Sequence, residues 1–265
     1  MVAGLRVEIA SGVGRITFDR PEVRNAISQE MVLGLAAGLR QLEDDPAVRC
    51  IVITGAGEHF IGGGDVKAFG ETLKLEPQER KHQFEGRALA ALEPLTVLER
   101  IGKPTIARVR GAVAGAGIPF VLACDFAIGA ESCFFVFAHR SLSLPPDAGL
   151  SYLLPRIVGW RRAKQLTMMG ARVDSQQALG DGLISQRVPD EQLDGTCEAL
   201  IAKLSDGPPI GNRVTKALLN QSLGNGLAEQ VRLEAAAVAE CVASADFVEG
   251  LRAFGEKRRP KFSGR

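Results

Sequence analysis

The chain has 265 residues, of which 46% are hydrophobic and 24% are charged, and its formal net charge is +1. This is the composition of a globular protein, and the near-neutral charge argues against nucleic acid as the main partner, because phosphate binding needs a basic surplus. No apolar run reaches the roughly 18 residues needed to cross a bilayer, so we expect no association with a membrane.

Patterns of apolar residues predict alternating strands and helices over the first 190 residues. Strict alternation predicts strands at 5–10 and 14–18, and Ser28 is placed to cap the helix that follows them. Further predicted elements are strands at 50–54, 105–109, 126–129, 134–137 and 183–188, and one long helix at about 76–100. This order of elements is typical of an α/β fold.

After about residue 190 the strand patterns stop. The remaining helical patterns lie at about 190–205, 208–221, 225–243 and 246–257. Their apolar faces must pack either against the body of the chain or against a partner subunit. We therefore predict an α/β core over residues 1–195 and a helical region over residues 196–265.

The reactive residue types indicate neither a disulfide framework nor a metal site. The five cysteines are an odd number without a C-x-x-C pair, and the three histidines are widely scattered. The N-terminus lacks the basic stretch followed by an apolar stretch that marks a secretory signal. We therefore expect a cytoplasmic protein that binds no metal.

Glycine is in excess, with 30 residues, or about 11% of the chain against an average near 7%. Two clusters, Gly62–Gly64 and Gly111–Gly117, each follow a predicted strand and precede a helix. Small residues at a helix N-terminus expose unpaired N–H groups, so two such ends could bind one oxygen with developing negative charge. The glycines could instead only allow tight turns. A dinucleotide site is disfavoured, because 115–117 lacks the third glycine of its fingerprint.

A series of short motifs runs along nearly the whole chain, from about residue 5 to 262. The first glycine cluster lies within Phe60-x-x-Gly63-Gly64-Asp65, which looks like an F-x-[AS]-G-x-D motif. The other stretches are Asp19-Arg20-Pro21 through Asn25-Ala26, Lys103-Pro104 through Gly111, Cys124-Asp125, Pro146-Asp147-Ala148-Gly149, Leu154-Pro155-Arg156, Ala178 to Gly182-Leu183, and Glu249 through Arg258. In order and spacing, this series resembles the enoyl-CoA hydratase/isomerase (crotonase) family.

The resemblance implies a spiral of repeated ββα units, followed by C-terminal helices that build a homotrimer or a dimer of trimers. It also implies an acyl-CoA thioester as ligand, with coenzyme A entering as part of the substrate and no separate cofactor. By position, the backbone N–H groups of Gly64 and Ala116 would form the oxyanion hole. Ala116 stands where the family usually has glycine, and its methyl group is compatible with a backbone donor if its dihedral angles suit a residue with Cβ.

The resemblance also implies residues that bind coenzyme A. Arg24, Gly62 and Lys67 lie where the family contacts the CoA moiety, and Phe254 and Lys257 lie where a neighbouring subunit reaches the adenine. The alternative for the charged residues is an ordinary solvated surface, and Phe254 could simply pack its helix. We expect Asp65, in the same cluster as Gly62, to cap the short helix after it rather than to contact substrate.

The residues at two positions argue against the usual hydration chemistry. The hydratases of the family use two glutamates, and the matching residues here are Pro119 and His139. Proline has no titratable group, and loss of a general acid–base typically costs about 10²–10⁴ in rate. Pro119 is nevertheless compatible with the first turn of a helix. His139 could act as a base or could be a histidine with only a local hydrogen bond.

Asp147 follows Pro146 in a turn signature, so its side chain could simply form an Asx turn or cap the next helix. In the Δ3,Δ2-enoyl-CoA and dienoyl-CoA isomerases that this motif resembles, an aspartate at the matching position moves a proton along the acyl chain. The resemblance therefore implies Asp147 as the acid/base. We expect an apolar pocket, lined by residues such as Phe120, Phe137 and Tyr152, to raise its basicity by desolvation.

The leading hypothesis is therefore isomerisation of the double bond of an enoyl-CoA through Asp147, with the oxyanion held by Gly64 and Ala116. One alternative is hydration or thioester hydrolysis that uses His139 or an ordered water. Another alternative is a protein that binds CoA esters without turnover. Pro119 is consistent with this alternative, because it replaces one of the two glutamates of the hydratases.

Overall fold

The strands of the chain form two sheets in the computed structural model, which describes residues 2–265. In chain order the strands are β1 Leu5–Ala10, β2 Val13–Phe18, β3 Cys50–Gly55, β4 Thr105–Val109, β5 Ala112–Ala114, β6 Phe126–Ala130, β7 Phe134–Val136, β8 Arg172–Asp174 and β9 Gln186–Val188. The larger sheet has the order β1-β2-β3-β4-β6-β9, and the smaller one has the order β5-β7-β8. Only the pairs β1–β2 and β7–β8 are antiparallel.

Helices connect the strands and then form the C-terminal part of the chain. They are α1 Gln29–Asp44, α2 Val66–Glu71, α3 Pro77–Ala90, α4 Leu92–Arg100, α5 Ile118–Leu122, α6 Leu150–Val158, α7 Trp160–Met169, α8 Ser175–Gly180, α9 Leu193–Ser205, α10 Pro209–Ser222, α11 Leu227–Val242 and α12 Ala245–Gly255. The predicted α/β class is confirmed, and the strands stop after β9 as predicted.

Both faces of the larger sheet are buried. This explains why its parallel central strands are almost wholly apolar. One face packs under α1, where Ser28 Oγ accepts a hydrogen bond from the N–H of Met31, as the predicted cap requires. The other face packs under α9, whose buried residues are Leu193, Cys197 and Ile201. The predicted boundary between residues 195 and 196 falls inside α9, and the division into two domains stays a prediction.

The single long helix predicted at about 76–100 is wrong. The structure has α3 and α4 with Ala91 between them, and Pro94 lies in the first turn of α4. Proline has no N–H to continue the helical hydrogen bonds, so the second helix starts afresh there. Three short elements, β5, β8 and α8, were not predicted, because each is too short for a periodic pattern. The ten-residue helix α7 was not predicted either.

The C-terminal helices leave apolar side chains uncovered in the single chain. Helix α11 buries none of its residues, and Leu227 and Val238 on it are 81% and 62% exposed. Such faces are typical of subunit interfaces, and the expected trimer stays a prediction. Within residues 2–265, no helix has both the length and the apolar character that a membrane crossing requires.

Candidate functional site

The two glycine clusters lie side by side. Ile61 donates its N–H to Ala112 O at 3.2 Å, and Ala114 donates its N–H to Ile61 O at 2.9 Å, which makes a parallel bridge between Ile61 and Val113. Gly117 packs directly on Ile61, since a Cβ at position 117 would lie 2.7 Å from the Ile61 side chain. Glycine is therefore needed at 117 for the close approach of the two segments.

Gly64 lies three residues after Ile61, and Ala116 lies three residues after Val113. Because the two segments are parallel, both residues lie at the same end of the bridge. Among residues 2–265, neither backbone N–H finds an acceptor. Ala116 lies in the first turn of a 3-10 helix at 115–117 and has a negative φ, so its methyl group causes no backbone strain. These two donors are available to a ligand oxygen, as the prediction of an oxyanion hole requires.

A hydrogen-bonded network holds the Gly64 segment in place. Ile27 donates its N–H to Gly63 O at 2.8 Å, and Asp65 Oδ1 accepts from the N–H of Ala68, which caps α2 as predicted. Arg20 Nη1 also donates to Asp65 Oδ2 at 3.1 Å. Burial alone would raise the pKa of the Asp65 carboxyl, but these hydrogen bonds and the Arg20 charge outweigh it and hold that pKa below its usual range. Asp65 is therefore a charged structural group.

Asn25 joins this network to the loop before the first glycine cluster. Its side chain is completely buried, accepts from the N–H of Arg20, and donates to Ala56 O at 2.9 Å and His59 O at 2.7 Å. It also has a φ of +56°, which asparagine tolerates better than most residues. The sequence analysis quoted Asn25 only as part of a motif and missed this role.

We expect Asn25→Ala to lower the free energy of unfolding by about 3 kcal/mol, because three partly buried backbone groups lose their hydrogen bonds, at about 1–3 kcal/mol for each unsatisfied group. Thermal unfolding followed by circular dichroism measures the loss as a Tm lower by several degrees. Asn225→Ala is the control, since Asn225 donates only to the neighbouring Gln230 side chain. A drop in Tm no larger than that of the control would contradict the role of Asn25.

The predicted CoA-binding residues fall into two groups. Gly62 donates its N–H to Arg24 O at 2.7 Å, and the exposed Lys67 lies in the first turn of α2, so these three share the Gly64 side of the molecule. Phe254, 86% exposed, and Lys257, whose N–H donates to Phe254 O, lie at the far end of α12. The assignment of all five residues to CoA binding stays a prediction.

Asp147 and His139 are brought together. His139 Nε2 lies 3.1 Å from Asp147 Oδ1, and the histidine side chain is 8% exposed against 41% for the aspartate. The Asp147 side chain does not cap α6, because that helix has no side-chain cap and only the backbone of Asp147 accepts from Leu150. The carboxylate is thus free of the purely structural role that its turn signature allowed.

The expected dry, apolar pocket around Asp147 holds only in part. The Asp147 side chain is 41% exposed in the single chain, so its surroundings are not dry. Of the three expected lining residues, Phe120 and Phe137 are 1% and 0% exposed and belong to the core, whereas Tyr152 lines a mainly apolar cavity. This cavity has a volume of about 1020 Å³, and its lining includes Ala148 and Gly149, the two residues after Asp147 in the chain. Its other walls are mainly apolar residues of α4, α5, α6 and α10, among them Leu95, Val121, Leu153 and Leu219.

Pro119 lies in the first turn of α5, as predicted, and supplies no acid or base to the site. Helix α5 packs against α6, so Ala116 and Asp147 each precede one of two helices in contact. A further feature escaped sequence analysis: the Phe69 ring covers Gly64, and Arg87 stacks 5.5 Å from the centre of that ring. No local pattern signals this contact, because it joins three separate segments.

Other reactive groups do not form a site in residues 2–265. No cluster of three histidine, cysteine or acidic side chains is arranged to hold a metal ion there. All five cysteines are free thiols, and burial raises the pKa of Cys50, Cys124 and Cys133 to about 12. These three thiols stay protonated at neutral pH and are poor nucleophiles.

Comparison with known proteins shows the family to which the chain belongs. A Rhodobacter capsulatus protein named "Probable enoyl-CoA hydratase" is 38% identical over 263 residues, which cover 98% of both chains. The 1,2-epoxyphenylacetyl-CoA isomerase of Escherichia coli is 36% identical over 258 residues, which cover 97% of both. The crystal structure of an enoyl-CoA hydratase from Bacillus anthracis superposes with a TM-score of 0.90 at 30% identity and covers 99% of this chain and 100% of that one. The sequence model of the enoyl-CoA hydratase/isomerase family matches residues 8–265, and the chain belongs to that family.

Proposed function

We propose that the protein isomerises the double bond of an enoyl-CoA, moving it from C3–C4 to C2–C3. One observation carries the proposal: Asp147 has a carboxylate free of helix capping, while Pro119 removes one of the two acid/base groups that hydration uses. A single carboxylate is sufficient for a proton shift, because the same group can accept and return the proton. The name of the Escherichia coli relative, an isomerase of a CoA thioester, supports the choice.

In this reaction the Asp147 carboxylate takes a proton from C2 of a 3-enoyl thioester. The electron pair of that C–H bond moves into a dienolate, whose negative charge lies on the thioester oxygen. The free N–H groups of Gly64 and Ala116 are suited to hold that oxygen. Asp147 then returns the proton at C4, and the carbonyl and the C2–C3 double bond form together, so no proton or electron is gained or lost.

We further propose that the cavity of about 1020 Å³ beside Ala148 and Gly149 accommodates the acyl chain. Its walls are mainly apolar, as a hydrocarbon chain requires. Its lining also includes Ala148 and Gly149, which directly follow the proposed acid/base Asp147 in the chain. The CoA moiety would extend instead towards Arg24 and Lys67, whose positive charges suit its phosphates.

The test gives the purified protein 3-enoyl-CoA and, separately, 2-enoyl-CoA, with the products followed by absorbance and mass. Conversion of 3-enoyl-CoA to 2-enoyl-CoA supports the proposal. Formation of hydroxyacyl-CoA as the main product would favour hydration, the activity named for the Rhodobacter capsulatus relative, and release of free CoA would favour thioester hydrolysis. If neither ester reacts but both bind, the protein holds CoA esters without turnover.

A further inference from the structure

The contact between His139 and Asp147 defines where the proton of the imidazole lies. An ionised carboxylate can only accept hydrogen bonds, so the nitrogen that faces Asp147 Oδ1 at 3.1 Å, Nε2, must carry hydrogen. The other ring nitrogen, Nδ1, is buried and has no partner among residues 2–265. The contact therefore places a hydrogen on Nε2, the nitrogen that faces the carboxylate.

The same histidine also holds the loop that carries Asp147. His139 lies in a 3-10 turn at 138–142, and its carbonyl oxygen accepts the N–H of Leu144 at 3.0 Å. Ser143 and Ala148, on either side of the two prolines, have φ values of +56° and +46°. The loop thus returns to the residue from which it started, and it closes through both the backbone and the side chain of His139.

One oxygen of the carboxylate is engaged by this contact and the other is not. Oδ1 accepts from Nε2, whereas Oδ2 has no hydrogen bond within residues 2–265. An aspartate side chain that is 41% exposed would otherwise sample several rotamers. Proton transfer to carbon is sensitive to small misalignments of the base, so a fixed Oδ1 leaves Oδ2 as a base with a defined direction.

We propose that His139 is a positioning residue for Asp147: it donates Nε2–H to Oδ1, selects one rotamer, and presents Oδ2 to the substrate. This inference rests on the proposed function, since Asp147 is taken as the acid/base. It assigns His139 no proton transfer of its own. It also gives a reason for a histidine at a position where hydratases of the family have glutamate: a second carboxylate there would repel that of Asp147.

The kinetic test compares His139→Gln with His139→Phe in the purified protein, using isomerisation of 3-enoyl-CoA. The Nε2 of glutamine reaches nearly as far as that of histidine, so His139→Gln should keep kcat within about threefold. Phenylalanine keeps the ring but lacks the donor, so kcat should fall about tenfold with KM within twofold. His82→Phe, on the exposed side of α3, is the matched control and should leave both constants unchanged.

Two results would overturn the inference. Equal losses in the glutamine and phenylalanine variants would mean that the shape of the ring matters and its donor does not. A kcat for His139→Phe within twofold of the wild type would mean that Asp147 needs no such partner. Thermal unfolding of each variant establishes that it is folded before its kinetics are compared.

A spectroscopic measurement decides the point independently of activity. In protein labelled with 15N-histidine, long-range proton–nitrogen correlations distinguish the two neutral tautomers, and the chain has only three histidines. The His139 signals are those that disappear in His139→Gln. We expect hydrogen on Nε2, and a ring that carries hydrogen only on Nδ1 overturns the inference. If the wild type does not isomerise 3-enoyl-CoA, the proposed function fails, while this tautomer still tests the contact.

Discussion

Asp147→Ala should lower the rate of 3-enoyl-CoA isomerisation by about 10²–10⁴, the usual contribution of a general acid–base. The substitution removes the group that takes the proton from C2 and returns it to C4, while the two backbone donors remain. Because Asp147 does not cap α6, its side chain contributes little to the fold beyond the contact with His139. We therefore expect kcat to fall while the affinity for CoA esters and the Tm change little.

The measurement is steady-state kinetics with 3-enoyl-CoA, accompanied by calorimetric titration with a CoA ester. Asp44→Ala is the matched control, since Asp44 is an exposed carboxylate at the end of α1 and belongs to none of the segments that carry the candidate site. Asp147→Asn adds a second comparison, because it keeps the shape of the side chain without its basicity. Isomerisation by Asp147→Ala at a rate near that of the wild type would refute the role of Asp147.

Ala116→Pro should lower the rate by about 10²–10³, the typical cost of removing one oxyanion donor. Proline lacks the N–H that would hold the thioester oxygen. Position 116 itself is compatible with proline, since Ala116 has a negative φ, its N–H donates to no residue in 2–265, and it lies in the first turn of its helix. Proline there disfavours the conformation of Gly115, whose φ is +46°, so circular dichroism of the variant must first establish that it is folded. The loss should appear in kcat, because the charge on the oxygen develops only as the proton leaves C2.

Ala116→Gly is the matched control for this experiment. It keeps the N–H and removes only the methyl group, so we expect isomerisation within a few-fold of the wild type. A folded Ala116→Pro protein with unchanged kcat would show that the second donor lies elsewhere. Equal losses in the proline and glycine variants would point instead to the shape of the turn at 115–117.

The fold could be predicted from the sequence wherever periodic apolar patterns were long enough. The alternating strands before residue 190 and the helices after it are examples, and so is the cap at Ser28. The break at Ala91 was missed, although Pro94 is the residue that explains it. A proline near a helix start and a proline that kinks a helix look alike in sequence, and tertiary packing decides between them.

The site was predictable only in part, and for a different reason. The glycine spacing indicated the two clusters, because backbone donors depend on the path of the chain, and the family resemblance implied Gly64 and Ala116 within them. The hydrogen bond between His139 and Asp147 could not be predicted, since it depends on positive φ values at Ser143 and Ala148, which no residue-type preference favours. Position in a motif suggested both residues, but only the folded loop shows that they form a pair.

The loop from His139 to Asp147 closes on itself, whereas the two oxyanion donors are tied to each other through Ile61. The proposed oxyanion donors and the proposed acid/base thus lie in segments that are each held by hydrogen bonds of their own. We therefore expect that exchanging the nine residues 139–147 for the corresponding loop of another family member would replace the proposed acid/base while the backbone at Gly64 and Ala116 keeps its position.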